Sequence, residues 1–506
     1  MTIRTIGGLV DQAAAINGSR KWLHFGESVT TFSELQQRTD NAAAELANLG
    51  IGRGDRVVYC APNSADLIFQ WIGLNKLGAV FVPLNPRAPA ADLQATLDRA
   101  RPKALILDAG AQAAVDLAAS APGTLPVAWL GEIATGRRVL RSNPTVAEDD
   151  VAVFIATSGT TGVPKLVMQT HRGYVLTAEG FGWWLGLTNE DRLMTSLPLF
   201  HLNAQVYTTL GSIKTGAEMV LLERFSPSRF WADAVAHGAT EVNAIGAMVE
   251  MLMRQPEAEE ERAHSVHTIY TAPAFEEQRH KEIEARFGAR VVIGYGLSES
   301  PYGAIWPRDA KPYATMGRLR QHPELGDINE SRIIGDDGSD VAPGATGELL
   351  LRNPAVMNGY FDLPDETAST LDGGWLHTGD LVHEDEAGFL TFVSRKKHVI
   401  RRRGENLSPA EVEAVLDTHE AVVESAVIGV PSELSEEDVK AFIVPAAGGV
   451  EPAELWEWCR GRLAAFKAPR YIEFVDELPH TPTERIAKHH LPAGLTGREH
   501  DADLLA

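Results

Sequence analysis

The stretch RVVYCAPNSADLIFQWIGLNKLGAVFVPLNP, residues 56–86, reads as strand, helix, strand. RVVYCAP (56–62) is a short apolar run of the kind a buried strand needs, and DLIFQWIGLNKLG (66–78) reads as a helix. AVFVPLNP (79–86) is a second apolar strand with a proline stop. Upstream, ELQQRTDNAAAELANLG (34–50) repeats apolar positions at helical spacing and ends in Gly50, a C-cap signal. Downstream, KALILD (103–108) repeats the strand theme. Strand–helix–strand alternation predicts mostly parallel sheets covered by helices, with ligands at the carboxyl ends of the strands beside the loops.

The chain has 506 residues, more than one hydrophobic core accommodates, so two or more domains are expected. Hydrophobic residues make up 44% and charged residues 23%, which argues against long disorder. The formal net charge of −22 disfavours nucleic acid and anionic membrane as partners, though it leaves room for a local basic pocket. The two cysteines, Cys60 and Cys459, have no metal-ligand spacing and no disulfide framework around them, so both read as packing residues in a reducing compartment. The first residues lack a basic head with an apolar stretch behind it, and no segment approaches the ~20 apolar residues of a membrane span. A cytoplasmic location is expected.

After about residue 330 the texture changes. SRIIGDDG, ATGELLLRNP and FLTFVSR read as short strands of an antiparallel sheet or small barrel. A basic run, Arg395–Lys396–Lys397–His398 and then Arg401–Arg402–Arg403–Gly404, precedes SPAEVEAVLDTH (408–419). There Ser408 reads as an N-cap, Pro409 as the first helical residue and Glu411 as the partner in a capping box. AVVESAVIGVP and VKAFIVPA read as strands, PAELWEWCRGRLAAF as a helix and YIEFVDELP as a last strand, with LTGREHDADLLA expected to fray. The expected fold is therefore α/β. Residues 1–394 form a large N-terminal domain of mostly parallel, helix-covered sheets plus a small barrel-like sheet. Residues 395–398 connect it to a small α+β C-terminal domain, 399–506.

Five stretches carry chemistry. Thr157-Ser158-Gly159-Thr160-Thr161-Gly162-Val163-Pro164-Lys165 follows the strand VAVFIA. Small residues let backbone N–H groups approach an anion, hydroxyls add donors and Lys165 adds charge, which suits a triphosphate cradle. The spacing is not that of the GxxxxGK[ST] phosphate loop of ordinary nucleotide triphosphatases. In Gly294-Tyr295-Gly296-Leu297-Ser298-Glu299 the ring can stack on a flat base and the carboxylate can hold Mg²⁺, although such a loop is often merely structural. In Trp375-Leu376-His377-Thr378-Gly379-Asp380 a buried aspartate after a glycine turn can accept two hydrogen bonds from a ribose diol; alone it is an ordinary turn residue. From Arg395 to Glu413 a solvated charge run is the plain reading, but Gly404-Glu405-Asn406 interrupts it as a functional turn does. Leu478-Pro479-His480-Thr481-Pro482-Thr483-Glu484-Arg485-Ile486 is by itself a Pro/Thr turn.

In this order the five resemble the adenylate-forming superfamily: acyl-CoA synthetases, firefly luciferases and peptide-synthetase adenylation domains. TSGTTGVPK is similar to its phosphate loop, YGLSES to its YGxTE motif, HTGD to its TGD motif and RRRGENLSPAEVE to its GGEN-type motif. Pro198-Leu199-Phe200-His201 resembles the family's PxFH element, whose histidine gates the acyl pocket. IRRRGEN has the flavour of the carnitine-CoA-ligase-like branch. The resemblance implies a two-step reaction. A carboxylate attacks the α-phosphate of ATP to give acyl-AMP, and the thiol of coenzyme A then displaces AMP.

Carried over by position, the resemblance assigns Thr157, Ser158, Gly159, Thr160, Thr161, Gly162 and Lys165 to the phosphates, and Tyr295 and Gly296 to the base. Ser298 goes to the α-phosphate, Glu299 to Mg²⁺, and Asp380 and Arg395 to the ribose. Lys397 matches the hinge about which the small domain rotates between steps. Gly404 and Glu405 would line the pantetheine tunnel, and nearby arginines, among Arg401, Arg402 and Arg403, would meet the phosphates of coenzyme A. His201, Glu299, Lys397 and Arg485 stand at the catalytic positions. The acyl pocket would draw on His201–Gln205, Ala244–Val249 and Tyr302–Trp306, which suits a sizeable hydrophobic acid.

Two positions depart from the pattern. Relatives read PxTxTGKI, and that lysine bridges carboxylate and α-phosphate; here Glu484-Arg485 stands in its place. Arginine is not a conservative replacement at a point-charge site. Leu166 follows Lys165 where relatives continue with glycine, and its side chain is expected to crowd the loop. Both departures lie on the ATP-dependent step. They point to weak or absent adenylation, with acyl-AMP supplied by a separate enzyme and still converted to acyl-CoA. The alternatives are an ordinary two-step synthetase, in which Arg485 does the lysine's work or Lys488 reaches the site, and a non-catalytic AMP or acyl-CoA binder. An amino-acid adenylation domain is disfavoured, because Phe200-His201-Leu202-Asn203 lacks the aspartate of FDxS. A luciferase-type oxidase shares the motifs and is separated by oxygen use. Oligomeric state stays open, with a homodimer among the options.

Overall fold

The structure is a computed structural model. It describes residues 4–120, 126–133, 145–157, 164–402, 405–432, 436–464, 466–480 and 486–502, with backbone alone at 119, 120, 405 and 406. Two compact units emerge. One comprises Met1–Arg332, Leu350–His377 and Glu386–Thr391; the other comprises Ile333–Leu349, Thr378–Asp385 and Phe392–Ala506.

The first unit is built on two sheets. A six-stranded sheet runs Val127–Trp129, Ala104–Leu107, Arg56–Cys60, Val80–Leu84, Val151–Thr157, Lys165–Thr170. Every pairing in it is parallel except the last. A nine-stranded sheet has the parallel core Arg290–Tyr295, Thr268–Thr271, Glu241–Asn243, Arg192–Thr195, Glu218–Leu221, Lys21–Phe25. The mostly parallel, helix-covered reading of the sequence therefore holds. The helix Ala65–Lys76 is buried continuously from Leu67 to Lys76, as a helix apolar on all sides must be. Its last residue, Lys76, reaches Asp11 at 2.8 Å and Asp40 at 2.5 Å. The strands Glu330–Ile334, Gly347–Arg352, Leu376–Glu384 and Leu390–Arg395 make a four-stranded sheet where a small barrel-like one was expected.

The second unit packs helices Pro409–Asp417 and Pro452–Arg460 on a sheet of Val422–Pro431, Glu437–Pro445, Tyr471–Phe474 and His500–Asp501. Val412, Leu416, Val427, Val439, Ile443, Leu455, Trp456 and Cys459 form its core. Two sequence expectations fail here. Ser408 is the N-cap and Pro409 follows it, but the Ser408 hydroxyl makes no capping bond. The Glu411 carboxylate is held instead by Lys467 Nζ at 2.6 and 2.7 Å, since a full charge outcompetes the neutral backbone N–H of the cap. The tail, expected to fray, is tied down as far as Ala502. His500 and Asp501 pair with Ile472 and Tyr471, Thr496 donates to Glu473 at 2.8 Å, and the fully buried Lys440 binds Glu499 and Glu473. A buried ammonium demands counter-charges, and the tail supplies one of them.

Glu241, at the start of its strand, is fully buried and neither carboxylate oxygen has a hydrogen-bond partner. Burial, and secondarily the charge of Asp191, pushes its pKa well above the ordinary carboxyl value. A carboxyl protonated more readily when folded contributes stability that is complete below the unfolded pKa of ~4.3 and lost as pH rises toward the folded one. Glu241→Gln should therefore stabilise the protein more at pH 8 than at pH 5, by about 1–3 kcal/mol, measured by chemical denaturation at both pH values.

Candidate functional site

The strand Lys165–Thr170 is paired on both edges. On one side Thr157 ends the strand Val151–Thr157 opposite Lys165. On the other side residues 358–361 run antiparallel to it. Met168 N donates to Gly359 O, Asn358 N to Met168 O and Phe361 N to Leu166 O, each at 2.9 Å. That register sets Tyr360 beside Lys165, whose ammonium lies 4.8 Å from the centre of the tyrosine ring. The Tyr360 hydroxyl donates to Glu299 Oε1 at 2.8 Å, and Met357 N donates to Glu299 O at 2.8 Å. Gln169, on the same strand, donates from Nε2 to Ser298 O at 2.7 Å.

The structure thus brings Lys165, Ser298 and Glu299 together by means of Tyr360 and Gln169, which the sequence reading did not single out. The signal available was Gly359-Tyr360: Gly359 has φ +113°, which favours glycine, and a Cβ there would lie 2.5 Å from Thr367 Cγ2. Tyr295 ends the strand Arg290–Tyr295 half-buried, and Gly296 follows it exposed. Ser158, Gly159, Thr160, Thr161 and Gly162 lie outside the described residues. Leu166, expected to crowd the loop, is fully buried in a regular strand and packs with Val82, Leu84 and Phe154. Its side chain points into the core because its place on the strand gives it an inward face.

The Thr378-Gly379-Asp380 trio sits on the strand Leu376–Glu384, not in the glycine turn the sequence suggested. Gly379 bends that strand locally with φ +68°, a left-handed conformation that favours glycine. Thr378 Oγ1 donates to Leu349 O at 2.6 Å and accepts from Asp380 N at 3.1 Å. Asp380 is 1% exposed, with Arg395 Nε 2.6 Å from its Oδ1, while Arg395 Nη1 donates to Thr378 O at 3.0 Å. Asp380 and Arg395 are therefore one ion pair oriented by the Thr378 carbonyl.

Beyond Arg395 the chain turns through Lys396–His398, with Lys397 exposed. Lys488 Nζ is 2.5 Å from Glu413 Oε1, which also accepts from Val427 N at 2.6 Å. Burial outweighs Lys488 and leaves the Glu413 pKa above the ordinary carboxyl value. Arg402 is buried, binding Asp438 Oδ1 at 3.2 Å and the carbonyls of Phe466 and Ala468 at 2.8 Å, so this arginine is committed to the fold and is withdrawn as a phosphate ligand. Arg401 is exposed and paired with Glu436 at 3.2 Å. Arg403, Gly404 and Arg485 lie outside the described residues, as does the side chain of Glu405, whose backbone pairs with Arg402.

His201 donates its backbone N–H to Pro198 O at 3.0 Å and sits half-buried, its ring 4.6 Å from that of Phe200. It stands just before a π-helical stretch, Ala204–Leu210. Such stretches are rare and concentrate at functional sites. Among the described residues no three or more His, Cys, Asp and Glu side chains converge as a metal cage, and no helix is long and apolar enough to cross a membrane.

A family model described as AMP-binding enzyme matches residues 10–361, and one described as AMP-binding enzyme C-terminal domain matches residues 411–485. Crotonobetaine/carnitine–CoA ligase of Salmonella heidelberg (strain SL476) is 30% identical over 486 residues, covering 91% of this chain and 92% of the relative. Among solved structures, O-succinylbenzoate coenzyme A synthetase from Bacillus subtilis in complex with AMP superposes with TM-score 0.84 at 26% identity, over 96% of this chain and 97% of that one. Mycobacterium tuberculosis fatty acyl CoA synthetase does so with TM-score 0.73 at 29% identity, over 96% and 97%.

Burial, then the charges of Lys488, Lys397 and Arg395, lowers the His398 pKa to about 4. This histidine should stay uncharged through the physiological range. An NMR titration of its ring carbon should show a midpoint near 4, and a midpoint at the ordinary value of ~6.5 would mean that the ring is neither buried nor flanked by these cations.

Proposed function

The chain belongs to the AMP-binding enzyme family and is an enzyme of acyl-CoA synthetase type, and from that premise we propose that it forms acyl-CoA from acyl-AMP and coenzyme A while adenylating free acids weakly or not at all. The observation that carries the proposal is Arg485 at the position of the family's bridging lysine. Its nearest substitute in sequence, Lys488, supports the reading, because its ammonium is already held by Glu413 at 2.5 Å. Acyl-AMP then comes from a separate adenylating enzyme.

In the retained step the sulfur of coenzyme A attacks the acyl carbonyl carbon. The C–S bond forms, the bond from that carbon to the phosphate oxygen breaks, AMP leaves and the thiol proton passes to solvent. Tyr295 and Gly296 flank the base, Ser298 contacts the phosphate, and Asp380, oriented by Arg395, accepts the ribose hydroxyls. His201 gates the acyl group. Arg403, Gly404 and Glu405 receive coenzyme A, and Arg395–His398 form the hinge between a domain of 1–394 and one of 399–506. Thr157–Lys165 is the phosphate loop.

Glu299 fits a magnesium ion. Its Oε1 accepts the Tyr360 hydroxyl, which orients the carboxylate, and one carboxylate is what a magnesium ion needs when phosphates and water complete its shell. The ion would neutralise charge on the phosphates of ATP. The Lys165–Tyr360–Glu299 arrangement is also the observation that favours a second reading, the ordinary two-step synthetase. A cytoplasmic location follows from the chemistry, since ATP and coenzyme A are held inside the cell.

One pair of assays separates the two readings. Free acid, ATP and Mg²⁺ should release pyrophosphate at ~10²–10³ below the rate of the Arg485→Lys variant, while synthetic acyl-AMP and coenzyme A give thioester at full rate in both proteins. Pyrophosphate release by the unaltered protein equal to that of Arg485→Lys sinks the half-reaction.

A further inference from the structure

Asn243 is the last residue of its strand, at the carboxyl end where ligands of parallel sheets bind, with Thr195 and Tyr270 as its neighbours on the flanking strands. It is fully buried. Both of its amide N–H groups are used: Nδ2 donates to Asn203 Oδ1 at 2.6 Å and to Thr208 Oγ1 at 2.9 Å. Its backbone carbonyl accepts from Thr195 Oγ1 at 3.2 Å. Its side-chain oxygen has no partner. Buried acceptors are nearly always satisfied, and one that is not calls for an explanation.

Asn203 supplies the complementary group. It is half-buried, two residues after His201, and its side chain does not cap the π-helical stretch that begins at Ala204. Its carbonyl oxygen is taken by Asn243, so the amide left over is a donor. The pair thus offers one unmet acceptor and one available donor, side by side and without charge. An unmet buried acceptor beside an available donor marks a place built for a polar guest.

We infer that Asn203 and Asn243 read a hydroxyl group on the acyl chain of the substrate. The inference rests on the reaction given under Proposed function and narrows its substrate to a hydroxylated carboxylic acid. A hydroxyl is the small group that satisfies both asparagines at once, donating to Asn243 Oδ1 while accepting from Asn203 Nδ2. A second carboxylate would meet the unpaired Asn243 oxygen as a like partial charge. A quaternary ammonium would have no anion here. Leu202, Ala204, Val206, Ala244, Met248 and Val249 in the flanking stretches are buried and apolar, so the guest is a hydrophobic acid with one polar mark.

The test uses the whole chain, coenzyme A and synthetic adenylates in matched pairs: hexanoyl-AMP and benzoyl-AMP against the same compounds carrying one hydroxyl at each chain or ring position. At least one hydroxylated adenylate should exceed its unsubstituted partner in kcat/KM by about tenfold or more. Asn243→Leu should bring that ratio to about one, chiefly by slowing the hydroxylated substrate, and Asn203→Ala should lower it too, with some loss of thermal stability because one buried Asn243 N–H then lacks its acceptor. Turnover with no hydroxyl preference anywhere in the panel, as when a bound water completes Asn243, overturns the inference alone. So does a preference that survives both substitutions. Absence of thioester from every adenylate overturns the proposed reaction and this inference with it.

Discussion

Everything that gathers in the first unit depends on a strand having two hydrogen-bonding edges. Lys165–Thr170 uses one edge to pair with Val151–Thr157 and the other to hold residues 358–361. Had either edge stayed open, Lys165 would be a surface lysine at a loop exit. With both filled, the register leaves no choice about which residue faces Lys165, because slipping by one residue would turn Tyr360 to the other face. The tyrosine then serves in two ways, its ring face toward the ammonium and its hydroxyl toward Glu299. Residues 165, 299 and 360 are distant in sequence, and backbone pairing is what makes their meeting reproducible.

That dependence explains what the sequence revealed. Periodicity is local, so the strand Arg56–Cys60, the helix Ala65–Lys76 and the strand Val80–Leu84 were legible from apolar spacing alone. Motifs are local too, so Lys165, Ser298, Glu299, Asp380 and Arg395 were named before any geometry. Tyr360 and Gln169 were not, because their roles exist only through partners more than sixty residues away. The errors have the same origin. Ser408 and Glu411 fit the spacing of a capping box, but Lys467 arrives from another part of the chain and takes the glutamate. The tail looked polar enough to fray, and the buried Lys440 that recruits Glu499 cannot be recognised as buried from its own neighbours in sequence. The HTGD stretch looked like a turn because it contains glycine, whereas Gly379 bends a strand that continues through it.

The same long-range pairing governs which cations remain available. A chain with net charge −22 has many carboxylates to occupy its lysines and arginines. Arg402 is spent on Asp438, Lys488 on Glu413 and Lys440 on Glu473 and Glu499. Freeing such a cation leaves a buried carboxylate unpaired, at a cost of roughly 3–5 kcal/mol. A cation of this kind does not drift toward a substrate merely because the substrate is negative. The plain explanation of Arg485, that a neighbouring lysine covers for it, therefore meets an energetic obstacle at Lys488.

What Arg485 changes is geometry more than charge. Both side chains are cationic at neutral pH, so net attraction for a phosphate survives the replacement. Adenylation, however, brings two anions together, a carboxylate and the α-phosphate, whose repulsion at ~4 Å is about 4 kcal/mol in an effective dielectric of ~20. A compact ammonium can stand between them and touch both. A planar guanidinium spreads the same charge over a fork that matches one carboxylate or one phosphate, and it prefers to bind either of them in two places. It can thus hold the reactants apart with the same interaction that attracts them. Thiol attack on acyl-AMP imposes no such demand, because the thiol is neutral until it reacts and the carboxylate has already become a mixed anhydride with the phosphate. The proposed separation of the two half-reactions at this one position thus rests on the number of anions each must bring into contact.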